Sequence, residues 1–233
     1  GGEVSWWAPE QGWKKVDTDD PLEDLNTRLR ERVPAEIEGL PRFWGGAVGY
    51  FGYDVVREIE TLPSPAADDL ELPDGLFLFT NVVLAIDNLL GRAMAIVAVP
   101  VDGLHQDELR AGYDDAVAAT NDLIHRLKSQ PSPPPLQMAE EPKTDPPFDS
   151  STTQLEFEEG VEKIRDYIRA GDAFQVVLSQ RLGIDLQASP FDLYRGLRTL
   201  NPSPYLYFLE LDGISLVGSS PEVLVRVEDD VVI

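Results

Sequence analysis

One stretch constrains this chain more than any other. From Ser129 to Ser151 it reads SQPSPPPLQMAEEPKTDPPFDSS, with seven prolines in 23 residues. Proline fixes φ and carries no backbone donor, so the stretch is neither a helix nor an inner strand. It reads as a semi-rigid linker, residues 129–151, between two partial units at 1–128 and 152–233. Without a basic anchor nearby, Pro133-Pro134-Pro135 reads as spacer rather than as a ligand for a proline-binding domain.

The segment before the linker begins with Asp20-Pro21-Leu22-Glu23, the cap, first-turn proline and capping-box acid of a helix bearing Leu22, Leu25 and Leu29. Phe43 to Tyr53 is aromatic and glycine-rich, which suits a strand. Leu76 to Ile86 and Ala93 to Val99 read as strands around a turn from Asp87-Asn88 to Gly91-Arg92. His105 to Lys128 reads as an amphipathic helix with Leu109, Ala116, Leu123 and Leu127 inward. Beyond the linker, Thr153 and Glu156 form a capping box. Phe157, Val161, Ile164 and Ile168 share a face, and Gly171 stops the helix. Phe174 to Leu182 reads as a strand. A second helix opens at Ser189-Pro190-Phe191-Asp192 and carries Leu193, Leu197 and Leu200. Strands then follow at Tyr205–Leu211, Ile214–Val217 and Val223–Val227, turning at Asp212-Gly213 and Ser219–Pro221. Strands that succeed one another without helices between them point to an antiparallel α+β fold.

Composition removes several functions. The net charge of -23 repels duplex nucleic acid and anionic membranes. With no cysteine there is no disulfide, thiolate metal site or Cys nucleophile, and two histidines cannot build a His-rich metal centre. No apolar run approaches the ~20 residues that span a bilayer. The start Gly1-Gly2-Glu3-Val4 has no signal-peptide pattern, so a cytoplasmic protein is expected. The chain starts without Met and ends on Val231-Val232-Ile233, a strand scarcely begun, so both ends are expected to be cuts.

Four motifs carry the functional reading. GGAVGYFGYDVVREIE (45–60), IRAGDAFQVVLSQRL (168–182), LRTLNPSPYLYFLEL (197–211) and VGSSPEVLVRVEDD (217–230) occur in this order around the proline-rich connector. Together they resemble component I of anthranilate synthase, a chorismate-utilising enzyme, over nearly the whole chain and about the middle half of that family's length. The resemblance implies a large antiparallel β structure with helices packed outside it. It implies conversion of chorismate to anthranilate in tryptophan biosynthesis, with ammonia from a glutamine amidotransferase subunit (component II), Mg2+ at the active site and feedback inhibition by tryptophan. It also implies that the metal-binding glutamates, the catalytic histidine and the chorismate-binding glycine loop lie beyond Ile233. The Leu-Leu-Glu-Ser element that helps hold tryptophan would lie before Gly1. No catalytic or metal-binding residue is therefore carried over, and the chain alone is expected to be inactive.

Other polar groups have simpler readings. Gly45, Gly46, Gly49 and Gly52 lack the spacing of a phosphate loop and read as close backbone approach in a strand. Asp54, Arg57, Glu58 and Glu60 read as an ion-paired helix start. Arg165, Arg169, Arg181, Arg195 and Arg198 leave open a cleft for a carboxylated ligand, against helix-surface charge as the plainer account. Ser219-Ser220-Pro221-Glu222 reads as a strand connection, since neither serine has a base in the motif.

The strip Asn201-Pro202-Ser203-Pro204-Tyr205-Leu206 is the candidate binding element. Pro202 ends a helix, and the two prolines push Asn201 and Ser203 into extended conformations. Outward carbonyls suit an ammonium group, and Tyr205 adds an aromatic wall. In the family the matching strip contacts tryptophan, which implies a regulatory site at Asn201, Ser203, Pro204, Tyr205 and Leu206, with Leu206 where the family has Met. Two other readings stay open: the sister subunit that makes aminodeoxychorismate for folate, and a non-catalytic tryptophan-binding or interaction module.

Overall fold

A computed structural model describes residues 3–63, 67–137, 146–228 and 231–232. The chain divides into two units, Gly1–Ser132 and Pro133–Ile233.

The first unit opens with a hairpin, β1 (Val4–Ala8) and β2 (Gly12–Val16), paired from Val4↔Val16 to Ala8↔Gly12. Gly12 sits at φ +63°, a conformation that favours glycine. This hairpin is not among the elements expected from sequence. Helix α1 (Pro21–Arg30) follows, with the Asp20 side chain accepting from the Glu23 amide at 2.9 Å. Glu23 does not close a capping box as expected. Its carboxylate accepts from Asn26 Nδ2 at 3.0 Å, and the Asp20 amide donates to Thr18 Oγ1 instead.

Strand β3 (Gly46–Phe51) runs into a 3-10 helix, Tyr53–Glu58, and pairs with β4 (Gly75–Thr80). The segment expected as one strand from Leu76 to Ile86 is broken at Asn81, because its halves serve different partners. The Asn81 carbonyl accepts from the Ala98 amide at 2.7 Å, while β5 (Val82–Asp87) pairs with β6 (Arg92–Val97) across a turn containing Gly91 at φ +61°. Helix α2 (Gln106–Ser129) packs on β6. Ala116 and Leu123 are half-buried as expected, but Leu109 and Leu127 are exposed. The half-buried side chains of this stripe are Ala116, Thr120, Leu123 and Ile124, a spacing of one helical face.

A charged aromatic cluster ties this unit together. Trp6 Nε1 donates to Asp24 Oδ2 at 3.1 Å, and Arg28 Nε donates to the same oxygen at 2.9 Å. The Arg28 guanidinium lies 3.9 Å over the Trp6 ring, and Trp6 meets Phe79 at 4.9 Å. Burial would raise the Asp24 carboxyl, but the bonds from Arg28 and Trp6 and the Arg28 charge outweigh it and hold the group below its ordinary value. A depressed folded-state value gives stability that is complete above the unfolded-state value, about 3.9, and is lost as pH falls through the folded one. Asp24→Asn is therefore expected to lower stability at pH 7 by about 1–3 kcal/mol. The variant and the unmodified chain should converge as pH falls through the folded-state value of Asp24, which urea titrations followed by tryptophan fluorescence would check.

The second unit begins with a short ribbon, β7 (Asp149–Ser150) against β8 (Leu182–Gly183). Between them lies α3 (Gln154–Ala170), with the expected Thr153–Glu156 capping box and Gly171 at φ +84°. On α3, Phe157 and Ile164 are half-buried, whereas Val161 and Ile168 are exposed. The expected strand from Phe174 to Leu182 is not formed before Leu182. Its end alone is held, the Arg181 carbonyl accepting from the Ser151 amide at 2.9 Å and Leu182 pairing with Ser150, while Phe174 and Val177 are 93% and 82% exposed.

Helix α4 (Pro190–Leu200) is capped by Ser189 and packs on β9 (Tyr205–Leu211) and β10 (Ile214–Ser220). These strands pair from Ile214↔Leu211 to Ser220↔Tyr205, turning through Gly213 at φ +74°. Ser219 and Ser220 therefore belong to the strand and not to the turn expected there. Of the strand expected from Val223 to Val227, only Val227 is paired. It opens β11 (Val227–Glu228), which lies against β12 (Val231–Val232).

The fold is α+β with every described strand pair antiparallel. The described strands form two-stranded ribbons rather than one large sheet. Leu211 is the one buried hydrophobic residue among those described. Among the described residues, α2 covers β6 and α4 covers one face of β9 and β10.

Candidate functional site

The strip at 201–206 bridges α4 and β9. Asn201 closes the helix, its amide donating to the Leu197 carbonyl at 2.8 Å, and Pro202 forbids a further turn. The strip does not stand free with its carbonyls outward, as the sequence suggested. The Asn201 carbonyl accepts from Ser219 Oγ at 2.7 Å. Ser203 Oγ donates to the Ser220 carbonyl and accepts from the Tyr205 amide at 3.0 Å. Ser220 Oγ in turn donates to the Glu222 carbonyl at 2.9 Å. The strip and the Ser-Ser-Pro-Glu motif, separate in the sequence, thus form one hydrogen-bonded corner.

Strand pleating sorts the remaining strip residues. Successive side chains of β9 point to opposite faces. Tyr205 and Tyr207 share the open face at 41% and 45% exposure. Leu206 shares the other face with Phe208, whose ring meets Phe191 at 5.5 Å and Tyr194 at 5.9 Å on α4. The structure therefore brings Ser203 and Tyr205 to one corner and separates Leu206 from them. Pro204 is exposed beside Tyr205.

The other candidates are accounted for locally. Arg57 bonds Asp54 at 2.5 Å and reaches the Pro63 carbonyl at 3.3 Å, so it braces the 3-10 turn. Glu58 and Glu60 are exposed. Arg165 pairs with Glu162, Arg169 with Asp166 and Arg195 with Asp192, each with an acid three residues earlier on its own helix. Arg195 also donates to the Pro134 carbonyl at 2.7 Å. These arginines are helix-surface charge, spread over α3 and α4. The glycines of the first motif serve the backbone: Gly52 donates to the Asp74 carbonyl at 2.6 Å, and a Cβ on Gly49 would lie 2.0 Å from the Leu76 carbonyl oxygen. His105 caps α2, its amide donating to Glu108 at 2.7 Å, and His125 is exposed on that helix.

Among the described residues no three His, Asp or Glu side chains gather where a metal ion could sit. Those residues do not fit a Mg2+ site. Among the described residues no helix is long and apolar enough to cross a membrane.

The profile of the chorismate binding enzymes matches residues 3–233, and the chain belongs to that family. It is 43% identical to anthranilate synthase component 1 of Pseudomonas putida over 93% of this chain and 43% of that protein. It is 40% identical to the protein of the same name from Acetivibrio thermocellus, over 91% of this chain and 43% of that one. The crystal structure of anthranilate synthase component I from Streptococcus pneumoniae superposes with a TM-score of 0.69 at 31% identity, over 94% of this chain and 47% of the other. The chain spans less than half the length of the curated relatives it matches.

Proposed function

We propose that the chain is part of component I of a cytoplasmic anthranilate synthase. The complete enzyme would convert chorismate and ammonia to anthranilate, with a glutamine amidotransferase subunit (component II) supplying the ammonia and Mg2+ held by residues outside those described. The observation that carries this reading is the continuous match to proteins named anthranilate synthase component 1 across more than nine-tenths of the chain. Within it, the corner at Asn201–Tyr205 is the regulatory site for tryptophan. Tyr205 offers the ligand an aromatic face, and the prolines lower the ordering cost of binding.

The test uses the full-length product of the gene that encodes this chain, given chorismate, ammonia and Mg2+. Anthranilate fluorescence that tryptophan suppresses is the expected result. Consumption of chorismate to a non-fluorescent aminodeoxychorismate would move the protein to the folate branch. Glutamine-dependent activity with no amidotransferase subunit present would overturn the partner assignment.

A further inference from the structure

The corner contains a pair of crossed bonds. The Ser203 hydroxyl reaches forward to the Ser220 carbonyl, and the Ser219 hydroxyl reaches back to the Asn201 carbonyl at 2.7 Å. Neither serine sits on an exposed tip; both are half-buried. The Ser203 oxygen also accepts the Tyr205 amide at 3.0 Å. Its one proton is committed to Ser220, so it has none left to donate to a ligand. The strip cannot form these bonds through its own backbone donors, because Pro202 and Pro204 have none. The β9–β10 ladder holds the strip from Tyr205 onward, and ahead of it the two hydroxyls fasten Asn201 and Ser203. Ser220 then continues the chain of bonds to Glu222 at 2.9 Å, so the corner joins three elements: the end of α4, the start of β9 and the turn after β10.

We infer that Ser203 and Ser219 are positioning residues, which clamp the proline strip to the end of β10 so that the strip and the turn at Ser220–Glu222 shift as one body. This rests on the strip being a regulatory site. A ligand that moves the strip must then move the turn, and the serines carry inhibition without touching the inhibitor. Their role differs from that of Tyr205, which offers contact area. The Ser-Ser-Pro-Glu motif thereby gains a function as the receiving end of the signal.

The experiment compares Ser203→Ala, Ser219→Ala and the hydroxyl-keeping Ser203→Thr and Ser219→Thr in the full-length gene product, with two readouts. Calorimetry should show tryptophan dissociation constants changed by less than about fivefold in the alanine variants, since no ligand bond is removed. Turnover at saturating tryptophan should nevertheless persist in them, at about a third or more of each variant's own uninhibited rate. The threonine variants should restore full inhibition. A dissociation constant raised about tenfold or more in Ser203→Ala, with inhibition still complete at saturation, would make Ser203 a ligand contact and overturn the clamp. Hydrogen exchange without ligand separates this from failure of the regulatory reading. If tryptophan does not inhibit the unmodified enzyme, the regulatory site is lost. The clamp then stands only if Ser203→Ala speeds exchange of the Tyr205 amide by about tenfold, and falls if exchange is unchanged.

Discussion

Gly49→Ala is expected to unpair β3 from β4 and to cost about 3 kcal/mol, at the upper end of what single substitutions do. The reason is backbone, not side chain. Gly49 stands opposite Phe77, and a Cβ there would lie 2.0 Å from the Leu76 carbonyl oxygen and 2.8 Å from Phe77 Cα. Neither atom moves without breaking the ladder. Strand separation would carry off Phe79 and hence its contact with Trp6. All four tryptophans, Trp6, Trp7, Trp13 and Trp44, fall in the first unit, so their fluorescence in a urea titration reports that unit alone. Gly112→Ala provides the opposite sign. Gly112 sits within α2, and nothing lies within 4 Å of the place a Cβ would take, so alanine should stabilise by about 0.5–1 kcal/mol. If both variants unfolded at the same urea concentration, close approach at Gly49 would not be what that residue supplies.

Those two glycines show where sequence reasoning reaches and where it stops. Glycines in an aromatic strand point to close approach, and Gly49 has it. The caps at Asp20, Thr153 and Ser189 and the stop at Gly171 are legible because each is decided within three or four residues of chain. The β9–β10 hairpin is legible for the same reason, with Asp212-Gly213 at its turn. The strand expected at Phe174 to Leu182 is not decided locally. Its residues have the composition of a strand, but a strand exists only where a partner supplies the ladder. Asn81 likewise splits an apolar run whose halves pair elsewhere, and nothing in that run shows the division. The first hairpin escapes a motif-led reading: Val4–Ala8 alternates in burial, but Gly12–Val16, with Lys14 beside Lys15, does not.

The candidate site divides in the same way. The prolines set the shape of the strip, and Tyr205 stands in the open as expected. The hydroxyl bonds from Ser203 to Ser220 and from Ser219 to Asn201 span 17 and 18 residues of chain. No spacing rule reaches that far. The opposed directions of Tyr205 and Leu206, by contrast, follow from strand alternation alone, once β9 is known to begin at Tyr205.

That alternation decides the second large effect, which concerns inhibition. In the full-length gene product, Tyr205→Ala should raise the half-inhibitory tryptophan concentration by about tenfold to a hundredfold. That range is the loss of one aromatic face and the apolar area it covers. Tyr205 is 41% exposed at the open end of β9, where a ligand ring could stack on it. Leu206 faces α4 with Phe208 behind Phe191 and Tyr194. A ligand on the Tyr205 face does not reach it, so Leu206→Met should change half-inhibition by less than about threefold, as a volume-conserving exchange does in a packed layer. Inhibition curves on both variants, each scaled to its own uninhibited rate, give the comparison. If Leu206→Met moved the curve further than Tyr205→Ala, the ligand would lie between β9 and α4 and would have to part them to bind. If Tyr205→Ala abolished turnover but left tryptophan sensitivity unchanged, the corner would belong to the reacting site rather than to its control. Stacking needs an uncovered ring, and on β9 the uncovered rings are Tyr205 and Tyr207, so a ligand on this face meets Tyr205 before it meets Leu206.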